Sequence, residues 1–202
     1  MNCQEEVIGK LDDEVKAIKT YKEYLVNNFN ELSNFFDKIS VCEGNIVTIG
    51  VGKSEIIAKK TAATMNSLGV PAFNLNVLDA LHGELNRINT KDFPLFFSKN
   101  GETSEIISIM KILKEREILM FSITSNKKST INNLSCCNIY IPIEKEIDDL
   151  NLAPTISTSM HMMMGDIIAT ILSKNKKFTK KDFYSSHPSG YLGTMLLKKN
   201  FQ

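Results

Sequence analysis

Tryptophan is absent from this sequence, and histidine (3), cysteine (4) and proline (5) are scarce. His82, His161 and His187 stand too far apart to give metal-ligand spacing, so no metal is expected. The cysteines are Cys3, Cys42, Cys136 and Cys137; no CxxC occurs and the vicinal pair makes a poor disulfide, so a reduced, cytoplasmic chain is expected. There is no basic excess: 24 Lys and Arg face 23 acids, a net charge of +1, and no nucleic-acid partner is expected. The longest apolar stretch, Ile156–Leu172, is broken by Ser157, Thr158, His161 and Asp166, which predicts a buried helix and no membrane span. The first residues, Met1-Asn-Cys-Gln-Glu-Glu, are polar and acidic and predict no secretory signal. With no repeat, low-complexity tract or interior linker, residues 1–202 read as a single domain, with 1–43 an N-terminal helical segment.

What is present is a chain of 202 residues, 43% apolar, long enough to bury a substantial core. From Glu5 to Ile39 apolar residues recur at helical spacing (Val7, Leu11, Val15, Ile18, Tyr21, Leu25, Phe29, Leu32, Phe36, Ile39), predicting one long or two short helices that bury one face, against a partner subunit as one option. Strands are predicted over Asn45–Gly50, Pro71–Leu75, Phe93–Ser98, Ile118–Thr124 and Asn138–Ile143. Between them lie helices over Ser54–Leu68, Leu78–Leu85, Glu102–Glu115 and Ser129–Leu134, and the buried helix follows Pro154 and ends near Lys174. Alternation of helices with nearly continuous apolar strands such as Phe93-Pro-Leu-Phe-Phe-Ser98 marks a parallel sheet covered on both faces, a doubly wound α/β fold.

Gly50-Val-Gly52-Lys53-Ser54 is neither a P-loop nor a dinucleotide fingerprint, because Val47 and Glu55 stand where each needs a further glycine. It remains a glycine turn at the carboxyl end of the first strand, the edge where open α/β sheets bind ligands. Lys53 there reads either as a ligand contact or as a solvated helix-start lysine. Ser98-Lys-Asn-Gly-Glu-Thr-Ser-Glu105 brings Ser98, Asn100, Gly101 and Thr103 to a helix start, an arrangement suited to a phosphate dianion or to ordinary N-capping. Glu146 and His187 fall in predicted loops as acid–base candidates, and His82 ends a short helix. His161, among methionines in the buried helix, reads as packing.

Six motifs occur in order: Gly50-Val-Gly-Lys-Ser54; His82-Gly-Glu-Leu85; Ser98-x-x-Gly-Glu-Thr-Ser-Glu105; Lys145-Glu146 with Leu152-Ala-Pro-Thr155; Gly165-Asp166; and Ser186-His-Pro-x-Gly190. On these the sequence resembles the SIS (sugar isomerase) domain of arabinose-5-phosphate isomerases, from about residue 5 to 197. The resemblance implies the SIS fold with a five-stranded parallel sheet, a homotetramer, and interconversion of D-ribulose 5-phosphate and D-arabinose 5-phosphate through a cis-enediolate. That reaction opens the route to Kdo for lipopolysaccharide or capsule. The family's catalytic quartet falls on Lys53, Glu105, Glu146 and His187, its substrate- and phosphate-binding positions on Gly52, Ser54, His82, Ser98, Asn100, Gly101 and Thr103. No cofactor is required by this chemistry, and the expected partners are a small sugar phosphate and further copies of the chain.

Three departures stand out. The family's usual Ser-Asn-Ser-Gly is here Ser98-Lys99-Asn100-Gly101, Glu84 replaces an aspartate, and many family members continue into paired CBS modules whereas this sequence stops at Gln202. Catalysis without that module's control is therefore expected. Glu146 is the expected carbon base, with Glu105 as the alternative, Lys53 stabilising the enediolate oxygen and His187 shuttling protons. The rival readings are a 6-phospho-3-hexuloisomerase, a sedoheptulose-7-phosphate isomerase, or a binding-only sugar-phosphate sensor.

Overall fold

A computed structural model describes residues 2–187. The N-terminal segment forms two helices, α1 (Cys3–Asn27) and α2 (Phe29–Ser40), broken at Asn28, whose φ of −130° leaves the helical region. Five strands follow: β1 (Ile46–Gly50), β2 (Ala72–Asn74), β3 (Phe93–Ser98), β4 (Phe121–Thr124) and β5 (Cys137–Tyr140). They are linked by α3 (Lys53–Ser67), α4 (Val77–Leu81) with a 3-10 turn at Glu84–Arg87, α5 (Ser104–Glu115) and α6 (Thr130–Leu134), and followed by α7 (Ile156–Asn175) and α8 (Lys180–Ser186). All strand pairs are parallel and the order is β2-β1-β3-β4-β5. In that order the chain reverses direction across the sheet between β1 and β3, so the ligand crevice belongs at their carboxyl ends.

Helices cover both faces. Phe93, Leu95 and Phe97 of β3 and Phe121 and Ile123 of β4 point into one core with residues of α2, α3 and α7; Val47, Ile49 and Phe96 point into the other with residues of α4, α5 and α6. The period-2 side-chain alternation divides each strand between the two cores. The third strand is observed as predicted; the other four are shorter than predicted by one to three residues, the fifth also starting one residue earlier, because pairing with neighbours ends before the apolar run does. The predicted helix from Glu102 begins at Ser104, since Thr103 is extended (φ −68°, ψ 112°), and the helix predicted over Leu78–Leu85 breaks at Gly83, whose φ of 115° interrupts it. Lys180–Ser186, where no helix is predicted and the loop around His187 is expected to begin by Tyr184, is helical, opened by a capping box between Thr179 and Asp182.

Helix α7 spans the sheet from edge to edge. It starts beside the loops that follow β1 and β3, and its 20 residues correspond to about 30 Å. Its far end lies at the amino edge, where Asn175 donates to Ser40 Oγ at 3.1 Å and Leu172 lines a cavity with Ile46 and Pro71. No helix among the described residues is long and apolar enough to cross a membrane.

Helices α3 and α7 approach closely at Gly165, where an added methyl would collide with the Thr61 side chain. Thr61 is β-branched, fully buried and stiff at χ1, and has nowhere to move. Gly165→Ala is therefore expected to destabilise the fold by about 1–3 kcal/mol through overpacking, against the ~1 kcal/mol gain that helix propensity alone would give. Urea denaturation distinguishes the two signs.

Candidate active site

Three loops meet at the carboxyl edge. The first is the turn after β1, where Gly52 has φ +61° and opens α3. The second is Ser98–Thr103, where Ser98 Oγ lies 3.0 Å from Thr103 Oγ1 and accepts from Gly101 N at 3.1 Å. Gly101 has φ +67° and sits where a side chain would strike Ser129, so this turn admits only glycine. The third is the loop after β5, which carries Glu146. Between them lies a cleft of about 450 Å³, its open mouth included, lined by Val51, Lys53, Ser54, Lys99, Ser157 and His161 among others.

Glu146 is the electrostatic centre of this edge. Its side chain is fully buried, and its Oε1 accepts from Lys99 Nζ at 2.6 Å. Its Oε2 accepts from Thr155 N (2.8 Å), Thr155 Oγ1 (3.1 Å) and Ser157 N (3.1 Å), the first amides of α7. Burial pushes this carboxyl upward, but the Lys99 ammonium and the α7 donors outweigh it and hold the pKa at about 2. One turn further along α7, His161 is buried with Nε2 3.4 Å from Ser125 Oγ. Burial, and the nearby Lys99 charge, lower its pKa to about 4 against an opposing pull from Glu146.

Helix N-termini show a pattern. The preceding residue's side chain caps α1, α4, α6 and α8, whereas the residues before α2, α3, α5 and α7 give no such cap; of these four helices, α3 and α7 open on the cleft and α5 follows the adjoining Ser98–Thr103 turn. Thr103, predicted as an ordinary cap or a phosphate contact, turns its hydroxyl to Ser98 instead. Glu102 leaves α5 as well and accepts from Thr130 N at 2.7 Å, at the start of α6. The α7 amides are answered by Glu146. The starts of α3 and α5 keep partial positive charge beside the cleft.

The sequence-derived residues divide accordingly. Lys53, Ser54 and Glu146 (through Lys99 and Ser157) share the cleft; Gly52 opens α3 on its wall, and Ser98, Gly101 and Thr103 build the adjoining turn. Asn100 is exposed on that turn, its carbonyl accepting from Asn126 Nδ2 at 3.3 Å. Glu105 is exposed in the first turn of α5, where its own amide and Ser104 Oγ (2.9 Å) hold its carboxyl below the usual range. His82 is exposed at the end of α4, and Glu84 pairs with Arg87 at 2.9 Å. His187 is reached from the opposite edge of the sheet: Phe178 packs on Gly69 at the end of α3, and the His187 ring stacks on Phe183 at 4.0 Å with Nδ1 3.0 Å from Ser186 Oγ. The rest of its motif, Pro188 to Gly190, lies outside the described residues. Among the described residues no three His, Cys, Asp or Glu side chains are grouped to hold a metal.

Sequence reasoning missed the reach of Lys99 and the facing of His161, whose reading as core packing holds for its burial and not for its position on the cleft wall. The signal for the latter was available: Ser157 and His161 stand four apart on one helix face.

Residues 39–171 match the family model of the SIS domain. The chain is 37% identical over 187 residues to the arabinose 5-phosphate isomerase KdsD of Yersinia pestis, covering 93% of this chain and 56% of that protein. It is 37% identical over 186 residues to the arabinose 5-phosphate isomerase GutQ of Escherichia coli K12, covering 92% and 57%. The chain thus spans about half the length of the curated relatives it matches. Among solved structures, E. coli CFT073 c3406 in complex with arabinose 5-phosphate aligns with a TM-score of 0.86 at 34% identity, covering 93% of this chain and all of that one. A putative sugar-phosphate isomerase from Listeria monocytogenes aligns with a TM-score of 0.85 at 27% identity, covering 94% of this chain and all of that one.

Both buried groups tie stability to pH in the same direction. His161 is neutral when folded, so stability is full above its ordinary pKa of 6.5 and falls as pH drops from there toward about 4. Glu146 adds stability above its ordinary 4.5, lost as pH falls toward about 2. Urea unfolding at stepped pH should show two successive losses, each on the order of a few kcal/mol, and His161→Asn should remove only the first.

Proposed function

The chain belongs to the SIS domain family, and from that footing we propose that it interconverts D-ribulose 5-phosphate and D-arabinose 5-phosphate through a cis-enediolate. The observation that carries this reading is the cleft at the β1/β3 crevice, where the uncapped start of α3 and two lysines, Lys53 and Lys99, face one space. An open helix start and an ammonium suit a phosphate dianion, and the adjoining Ser98–Thr103 turn would grip it. Binding energy from the phosphate then orients the reacting carbons toward the acid–base groups. The likeness to two arabinose 5-phosphate isomerases and to a protein solved with arabinose 5-phosphate supports that substrate.

The proton between the two carbons needs a carboxylate that the substrate can reach. The Glu146 side chain is fully buried and tied to Lys99 and the start of α7; Glu105 is exposed and in no ion pair among the described residues. Glu105 is therefore our choice for the carbon base, in place of the Glu146 expected from sequence.

His187 belongs in this scheme as a residue of a neighbouring copy, since in its own chain its described side-chain contacts are with Phe183 and Ser186 of α8 and it does not line the cleft. The surface for that assembly is α1, whose Val7, Leu11, Val15 and Ile18 are 42–60% exposed in the isolated chain. A homotetramer would bury this stripe and carry His187 to a neighbour's cleft.

Two experiments test the proposal. The metal-stripped chain, given D-ribulose 5-phosphate, should form D-arabinose 5-phosphate, and Glu105→Gln should lower kcat by about a hundredfold or more. No product would direct the assay to hexulose and sedoheptulose phosphates. Leu11→Glu with Val15→Glu should dissociate the assembly, as seen by light scattering, and abolish turnover with helicity retained; a fully active monomer overturns the shared site.

A further inference from the structure

The Lys99–Glu146 pair has an asymmetry that assigns its roles. Glu146 is fully buried, whereas the Lys99 side chain is 34% exposed and lines the cleft. Every oxygen of the carboxylate is spoken for: one by the ammonium, the other by three donors at the start of α7. The part of the pair within reach of a ligand is thus the cation. A buried carboxylate with this many donors is a fixed anchor, and releasing it would strand both its own charge and the α7 amides.

We propose that Lys99 is the cation that meets the oxygens at the reacting end of the bound sugar phosphate, and that Glu146 acts through it as a positioning residue. The inference rests on the isomerase reading above and deepens it. When the carbon proton passes to the base, negative charge appears on the neighbouring oxygen; an ammonium already fixed in a partly desolvated cleft stabilises that charge without moving. No bond to Lys99 forms or breaks. The carbon proton leaves one carbon for Glu105 and returns to the next, the hydroxyl proton passes from one oxygen to the other by way of the neighbouring copy's imidazole, and Lys99 keeps its own three. Lys53, which lines the same cleft from the start of α3, is left to the phosphate. The groups around Lys99 are Glu146 from the loop after β5, Lys53 from α3 and His161 from α7. Burial holds His161 neutral down to about pH 4, so above that it adds no charge of its own to the cleft.

The test uses the full chain with Lys99→Met, Lys99→Arg, Glu146→Gln and the double Lys99→Met/Glu146→Gln variant, each checked for native melting. Lys99→Met should lower kcat for D-arabinose 5-phosphate by about a hundredfold with KM changed only a few-fold, the pattern of an interaction made in the transition state. Lys99→Arg should recover roughly tenfold of that loss, and the double variant should be no slower than Lys99→Met alone, because Glu146 then has nothing left to position. Near-normal turnover in Lys99→Met alongside an inactive Glu146→Gln overturns the assignment and returns Glu146 to the role of carbon base. A wild-type chain inactive on arabinose and ribulose phosphates sinks the isomerase reading instead. In that case the Lys99 resonance, followed by NMR after reductive ¹³C-methylation, decides: movement on adding a phosphorylated aldonohydroxamate that mimics the enediolate upholds the assignment, and its absence overturns it.

Discussion

The buried carboxylate of Glu146 is the constraint on which the carboxyl edge of this molecule depends. It answers the amides at the start of α7, fixes the direction in which Lys99 leaves the turn after β3, and pins the loop after β5. A charge buried to this extent costs several kcal/mol of solvation and persists only because ammonium, hydroxyl and amide donors replace water together. The same donors that make burial tolerable leave Glu146 a weak base. What the cleft meets is then the partner and not the carboxylate: the ammonium of Lys99, held out beside the open start of α3.

Helix α7 relates this centre to the rest of the fold. It closes the site with its first turn, fills the core with Met160, Met164, Ile168 and Leu172, and ends against the amino edge. Site and core are therefore not separable parts. The side chain of Asp166 on this helix pairs with Lys60 of α3, and Gly165 lets the two helices close on each other. A shift of α7 to relieve a clash at its middle would be felt at Ser157 and Glu146, one helix and no loop away.

Much of this was legible in sequence, for definable reasons. Parallel strands buried on both faces read as apolar runs, and Phe93–Ser98 was recognisable to the residue. The glycine turns were legible because Gly52 and Gly101 hold positive φ, which other residues resist. Helix α8 was missed because it buries no residue and so leaves no periodic stripe; only the Thr179–Asp182 capping box betrays it. The partner of Glu146 was missed because Lys99 lies 47 residues away, and nothing local shows which carboxylate a lysine will find. His161 was misjudged because burial and ligand-facing position coincide on a helix that is apolar on most of its surface.

The first helix braces the loop that carries Glu146. Lys10 donates to the Ile147 carbonyl at 2.9 Å, Asp13 pairs with Lys145 at 2.8 Å, and Glu14 accepts from Ser159 Oγ at 3.2 Å. These contacts join residues 137, 132 and 145 positions apart, among the longest closures in the chain. On a ribosome adding 5–20 residues per second, α1 emerges on the order of ten seconds before the residues it must hold. Through that interval Ala17, Tyr21, Tyr24 and Leu25, which pack on the core in the finished fold, have no surface of their own chain to cover them. The segment that completes the fold is thus also the one most exposed to mispairing while the fold is being made, and a holdase chaperone would have its best target there.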